Sequence, residues 1–132
     1  MLFGDHLVVV RGGGDLATGT VFRLRRAGFP VLVLELDQPL AIRRTVAVAS
    51  AVIEGRALIE DLDAILIDEI DEALEAARSG TIPVMVSPNL LQLPWEPSVV
   101  VDARLAKQNL DTSINDAPLV VGLGPGFTAG VD

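Results

Sequence analysis

Apolar residues in this chain gather into short unbroken runs separated by stretches of helical period. Leu7–Arg11, Val31–Glu35, the segment "IPVMV" that begins at Ile82, Val99–Val101 and Leu119–Val121 are rich in β-branched residues and almost free of polar interruption. Strands covered on both faces read this way, whereas a strand with one wet face alternates. Between the first two runs, Leu16–Ala27 has helical character and is closed by Gly28, with Pro30 barring its continuation. A second helix is predicted over Glu69–Ser79, with apolar residues at Ile70, Ala73, Leu74 and Ala77, acids in the first turn and Gly80 as its stop. The segment "VAVASAVIEGRALIED" reads as a short helix followed by a strand, turning at Gly55. Strand and helix alternate, which predicts an α/β fold: a three-layer Rossmann-like domain with a mostly parallel sheet. At 132 residues the chain is one such domain, residues 1–132.

The stretch "VVVRGGGDLATG" places three glycines between the first strand and the first helix. Glycine is costly in backbone entropy, so a triplet implies positive φ or a backbone that must stay bare. Gly12, Gly14 and Ala17 fall in the register G-x-G-x-x-A. In a dinucleotide fold these positions make the tight turn, admit a pyrophosphate and let helix pack on strand. An anion would sit on the N–H groups and positive dipole end of the helix that begins near Asp15, with Gly13 inside the same loop. The second strand ends in Glu35, about 20 residues further on, where the fingerprint places an acid for ribose hydroxyls. A carboxylate there repels a 2'-phosphate, so NAD is favoured over NADP. Arg43 and Arg44 are candidates for phosphate contacts, or else solvated residues at a helix start.

Asp102, Arg104, Lys107 and Asn109 follow the strand Val99–Val101, where polar residues line the ligand crevice of an open parallel sheet. Arg104 with Lys107 would hold a second anionic group; a capped, charged surface helix explains the same residues. Gly122, Gly124 and Gly126 form a second glycine-rich corner stiffened by Pro125. The acids Asp68, Glu69, Asp71, Glu72 and Glu75 follow the period of a solvated helix face. Trp95 stands in a proline-rich connection, and His6 reads as an exposed N-terminal histidine. With no cysteine the chain has no disulfide and no thiolate centre, and no metal is expected to be bound by this chain alone. A net charge of −8, from ten Lys and Arg against eighteen Asp and Glu, opposes binding to nucleic acid or an acidic membrane surface. No apolar run approaches the roughly 18 to 20 residues that span a bilayer. The start lacks a basic region and enters a strand almost at once, so a cytoplasmic protein is expected.

The blocks "VVVRGGGDLATG", "RRAGFPVLVLE", "PLAIRRTVA", "VDARLAK" and "DAPLVVGLGPGFTAGVD" together resemble the accessory proteins of selenium-dependent molybdenum hydroxylase systems. The similarity touches nearly the whole chain. It implies a Rossmann-like protein encoded beside hydroxylases of the xanthine dehydrogenase type, assisting cofactor maturation or enzyme activation, and does not supply a reaction. The positions carried over are Gly12, Gly13, Gly14, Asp15, Arg43, Arg44, Asp102, Arg104, Lys107, Gly124, Pro125 and Gly126. Such proteins continue well beyond the "GPGFTAG" block, so this chain is expected to be their N-terminal portion. The expected function is binding of a nucleotide or dinucleotide, NAD or the nucleotide part of a molybdenum cofactor, on behalf of a hydroxylase. An NAD-dependent oxidoreductase and a Rossmann-like interaction module without nucleotide are the alternatives. For the first of these, Asp102 with Lys107 is the one acid–base pair on offer. Half the residues are hydrophobic and the chain stops just after a strand and a glycine corner, so an uncovered apolar sheet surface is expected. A homodimer, or a complex with a missing C-terminal portion, would cover it.

Overall fold

The computed structural model describes residues 1–39, 44–87, 89–90, 93–94 and 96–132, and of Arg44 the backbone alone. Strands β1 (Val8–Arg11), β2 (Val31–Glu35), β3 (Arg56–Ile59), β4 (Leu62–Leu66), β5 (Ile82–Val86), β6 (Val99–Asp102) and β7 (Leu119–Gly122) form one sheet in the order β3-β4-β5-β2-β1-β6-β7. Every pairing is parallel except β3 with β4, which are joined by a tight hairpin with Glu60 at φ 54°. The helices are α1 (Asp15–Ala27), α2 (Ser50–Glu54) and α3 (Ile70–Ser79), with a 3₁₀ turn at Arg44–Val46. The fold is α/β and Rossmann-like, as the alternation predicts.

The unbroken apolar runs are explained by burial on both sides. Val8 and Val10 of β1, with Val31 and Val33 of β2, pack under Ala17 and Val21 of α1 and Ala51 of α2. Their neighbours Val9, Leu32 and Leu34 face the other way, onto Ala73 and Leu74 of α3. Successive strand residues point to opposite faces, so a strand between two helical layers has no polar positions to spare. Ala17 is 1% exposed, which agrees with the small residue expected where helix meets strand.

Two features were not legible in the chain. The hairpin strand β4 carries no clear signal of its own, because Leu62–Leu66 has neither a long apolar stretch nor a glycine turn. The connection between β6 and β7 contains no helix, contrary to one reading of "DARLAKQNL". Asp102 does not cap a helix; its carboxylate is taken by the backbone N–H and guanidinium of Arg104, and Leu105 then turns left-handed at φ 59°. No helix of the described residues is long and apolar enough to cross a membrane.

Chain direction fixes where a ligand would go. β1 leads through α1 to β2 on one side, while the crossover after β5 returns to β6 on the other side of β1. Connections therefore diverge above the carboxyl ends of β1 and β6, and an open parallel sheet has its crevice at such a switch point.

Candidate functional site

A cleft of about 610 Å³ lies at that switch point, lined by Gly12–Ala17, the end of β2 with Leu36, and the corner Ala103–Ala106 after β6. Its volume is in the range of small-molecule sites, roughly 300 to 1,000 Å³.

Each glycine of the triplet has its own reason. Gly12 takes φ 95°, and a Cβ there would stand 3.2 Å from the Ala103 carbonyl and the Arg104 Cα. Gly13 is wedged against the chain after the 3₁₀ turn: its carbonyl accepts from Ala49 N–H at 2.9 Å, and a Cβ would meet Ala49 N at 3.1 Å. Gly14 differs from both. Its φ of −67° and ψ of −175° suit any residue, and a Cβ would meet nothing within 4 Å. Gly14 caps the N-terminus of α1 without a side-chain hydrogen bond, and it lines the cleft. Thr18 ties the loop from behind, donating to the Gly14 carbonyl at 2.7 Å and accepting from Val48 N–H at 3.0 Å.

Glu35 also lines the cleft. Its carboxylate accepts from Gly13 N–H at 2.7 Å and from Leu36 N–H at 2.8 Å, which fixes the glycine loop to the end of β2. A carboxylate has about four acceptor positions, so two remain for donors such as hydroxyls.

The opposite wall is an ion-pair network. Arg11, the last residue of β1, is 2% exposed and donates to Thr112 Oγ1 at 3.1 Å and to Asp111 at 2.9 Å. Arg104 grips Asp102 at 2.6 and 3.0 Å and reaches Asp111 at 2.8 Å. Thr112 Oγ1 donates to Asp102 at 2.6 Å, and Asn109 brackets Thr112 through both its backbone groups. Burial works to raise the Asp102 carboxyl, but the hydrogen bonds from Arg104 and Thr112 outweigh it and hold the group below the ordinary carboxylate range. Asp111 is held low in the same way: desolvation is overcome by hydrogen bonds from Arg11 and Arg104. The Arg104 guanidinium is correspondingly raised, chiefly by its hydrogen bond to Asp102.

The remaining sequence-derived positions divide. Gly12, Gly13, Gly14, Asp15, Glu35 and Arg104 all line the cleft. Asp102 is buried behind Arg104, and Lys107 is exposed outside the cleft lining. Gly124, Pro125 and Gly126 also stand outside it, and the two glycines buttress it instead. A Cβ on Gly124 would come 3.2 Å from Leu105 Cα, and one on Gly126 would come 2.7 Å from the Ala106 carbonyl. Arg43 and Trp95 lie outside the described residues, and the side chain of Arg44 is likewise not described. His6 is exposed and bonded to Ser98 Oγ at 3.0 Å, and the acids Asp68, Glu69, Asp71, Glu72 and Glu75 are all exposed. Among the described residues no cluster of His, Asp or Glu is arranged to hold a metal ion.

Sequence reading passed over Arg11, Asp111 and Thr112. The signal was present for Arg11: a cation ending a run of valines must be paired, because a buried charge left alone is too costly. Its partners stand a hundred residues further along the chain, with nothing local to mark them.

No family model matches the chain, and no solved structure matches it. Among curated proteins it is 49% identical over 130 residues to the uncharacterized protein YqeB of Escherichia coli strain K12. That alignment takes in 98% of this chain and spans 24% of YqeB, about a quarter of the relative's length.

Proposed function

We propose that this domain binds a nucleotide or dinucleotide in the cleft above β1 and β6, and that it does so as an accessory protein in the maturation or activation of a molybdenum hydroxylase. The observation that carries the binding reading is Gly14. Neither its backbone angles nor its packing needs glycine, so the bare backbone at the start of α1 is left for something outside the chain to approach. A phosphate is the group such a helix start attracts. Glu35 lines the same cleft with acceptor positions left for ribose hydroxyls, and its charge disfavours a 2'-phosphate, which supports NAD over NADP; the nucleotide part of a molybdenum cofactor suits the same groups.

The link to a hydroxylase is supported by the ordered sequence blocks that resemble its accessory proteins. Binding is the function in this reading, with the ligand held or handed to the partner enzyme. Self-association is the companion proposal, supported by the exposed apolar side chain of Leu119 on β7, the outer strand of the sheet. The binding test is a thermal-shift panel of NAD, NADP, ATP, CTP and molybdopterin dinucleotides. A dinucleotide that raises the midpoint, with NADP weaker than NAD, is the expected result, and a flat panel would overturn it.

A further inference from the structure

Two arginines at one wall of the cleft share a single exposed carboxylate. Arg11 and Arg104 both donate to Asp111, at 2.9 and 2.8 Å, and all three residues line the cleft together with the glycine loop. Among the described residues Asp102 stands beside Asp111 as a second carboxylate in contact with Arg104. The two carboxylates are not equivalent. Asp102 is buried and secured by Thr112 and by the backbone of Arg104. The Asp111 side chain is 41% exposed on an irregular connection, and among the described residues its carboxylate is held by the two guanidiniums.

Arg11 is 2% exposed and Arg104 is half-buried, so the place where the two guanidiniums converge favours an anion. A carboxylate meets that need, and so does a phosphoryl group, which arginine forks bind with two parallel hydrogen bonds. We propose that Asp111 is an internal occupant of a phosphoryl subsite formed by Arg11 and Arg104, and that a phosphate of the bound nucleotide displaces it. This rests on the nucleotide reading of the cleft. Binding then requires the turn around Asn109–Thr112 to release Asp111, and the apparent affinity is reduced by the fraction of molecules in which the carboxylate is already withdrawn.

The test is calorimetric titration of inorganic pyrophosphate, NAD and adenosine into the parent protein, Asp111→Asn and Asp111→Ala. Pyrophosphate and NAD should bind both variants about tenfold more tightly than the parent, the factor expected if the carboxylate is withdrawn in about a tenth of molecules. Adenosine, which carries no phosphate, should show no gain. Unchanged or weaker pyrophosphate binding in both variants would overturn the proposal. So would an equal gain in Asp15→Asn, which removes another carboxylate from the cleft wall and would mark the effect as general charge removal. If pyrophosphate gains while no nucleotide binds, the subsite stands and the nucleotide reading falls; if NAD binds all variants alike, the reverse holds. The parent protein supplies a readout that needs no variant: the amide signals of Asp111 and Thr112 should move with millimolar pyrophosphate, and signals that stay fixed would overturn the displacement.

Discussion

At the scale of single residues, the cleft is decided by groups that the fold uses and groups that it does not. Gly14 belongs to the second kind, so Gly14→Val is expected to fold normally and to lose nucleotide binding, because the branched side chain fills the approach to the start of α1. Calorimetry with NAD alongside circular dichroism checks this; a folded variant that binds like the parent would contradict it. Asp102 belongs to the first kind. Asp102→Asn leaves Arg104 without its strongest partner and should cost about 3 kcal/mol in denaturant unfolding, the scale for breaking a buried pair. The pH dependence follows from the same network. Asp102 and Asp111 are held below the unfolded carboxylate value of about 3.9. Their contribution is therefore fully present above that value and is lost as pH falls through the folded-state values. Acid unfolding should set in below about pH 4, and Asp102→Asn should flatten that limb of the stability curve.

At the scale of elements, the two glycine corners have different work. The first opens on the cleft, whereas the second lies under the corner Ala103–Ala106 and lets it pass. Gly126→Ala would push a methyl group against the backbone of Ala106 and Gln108, so it should destabilise the domain by about 1 to 3 kcal/mol, the usual cost of overpacking, and weaken ligand binding indirectly. Thermal unfolding and titration of the same sample separate the two effects. Lys107→Ala should leave binding unchanged, since its side chain is exposed outside the cleft lining. Strands β1, β2, β5, β6 and β7, helices α1 and α3 and the glycine loop were legible because each carries a local signal: apolar runs rich in β-branched residues, helical apolar spacing, or a stop at Gly28 or Gly80. β4 was not, since its five residues mix Asp63 with apolar neighbours and its turn at Glu60 uses no glycine. The Arg11–Asp111–Thr112 corner escaped for a further reason. Its members are distant in sequence, and only the parallel pairing of β1 with β6 brings the loop after β6 over the end of β1.

At the scale of the whole molecule, the sheet is covered by α1 and α2 on one face and by α3 on the other, and its outer edge at β7 presents exposed Leu119. Gel filtration with light scattering is expected to give a dimer; a monodisperse monomer at high micromolar concentration that binds no hydrophobic dye would contradict self-association. A crystal structure of the protein with NAD probes the crevice where the connections diverge from β1 and β6. The pyrophosphate should lie against the backbone at Gly14 and Asp15, with the adenosine ribose at Glu35. A cleft empty at saturating NAD and equally empty with the other dinucleotides of the panel, or a nucleotide seated elsewhere on the surface, would contradict nucleotide binding in that crevice.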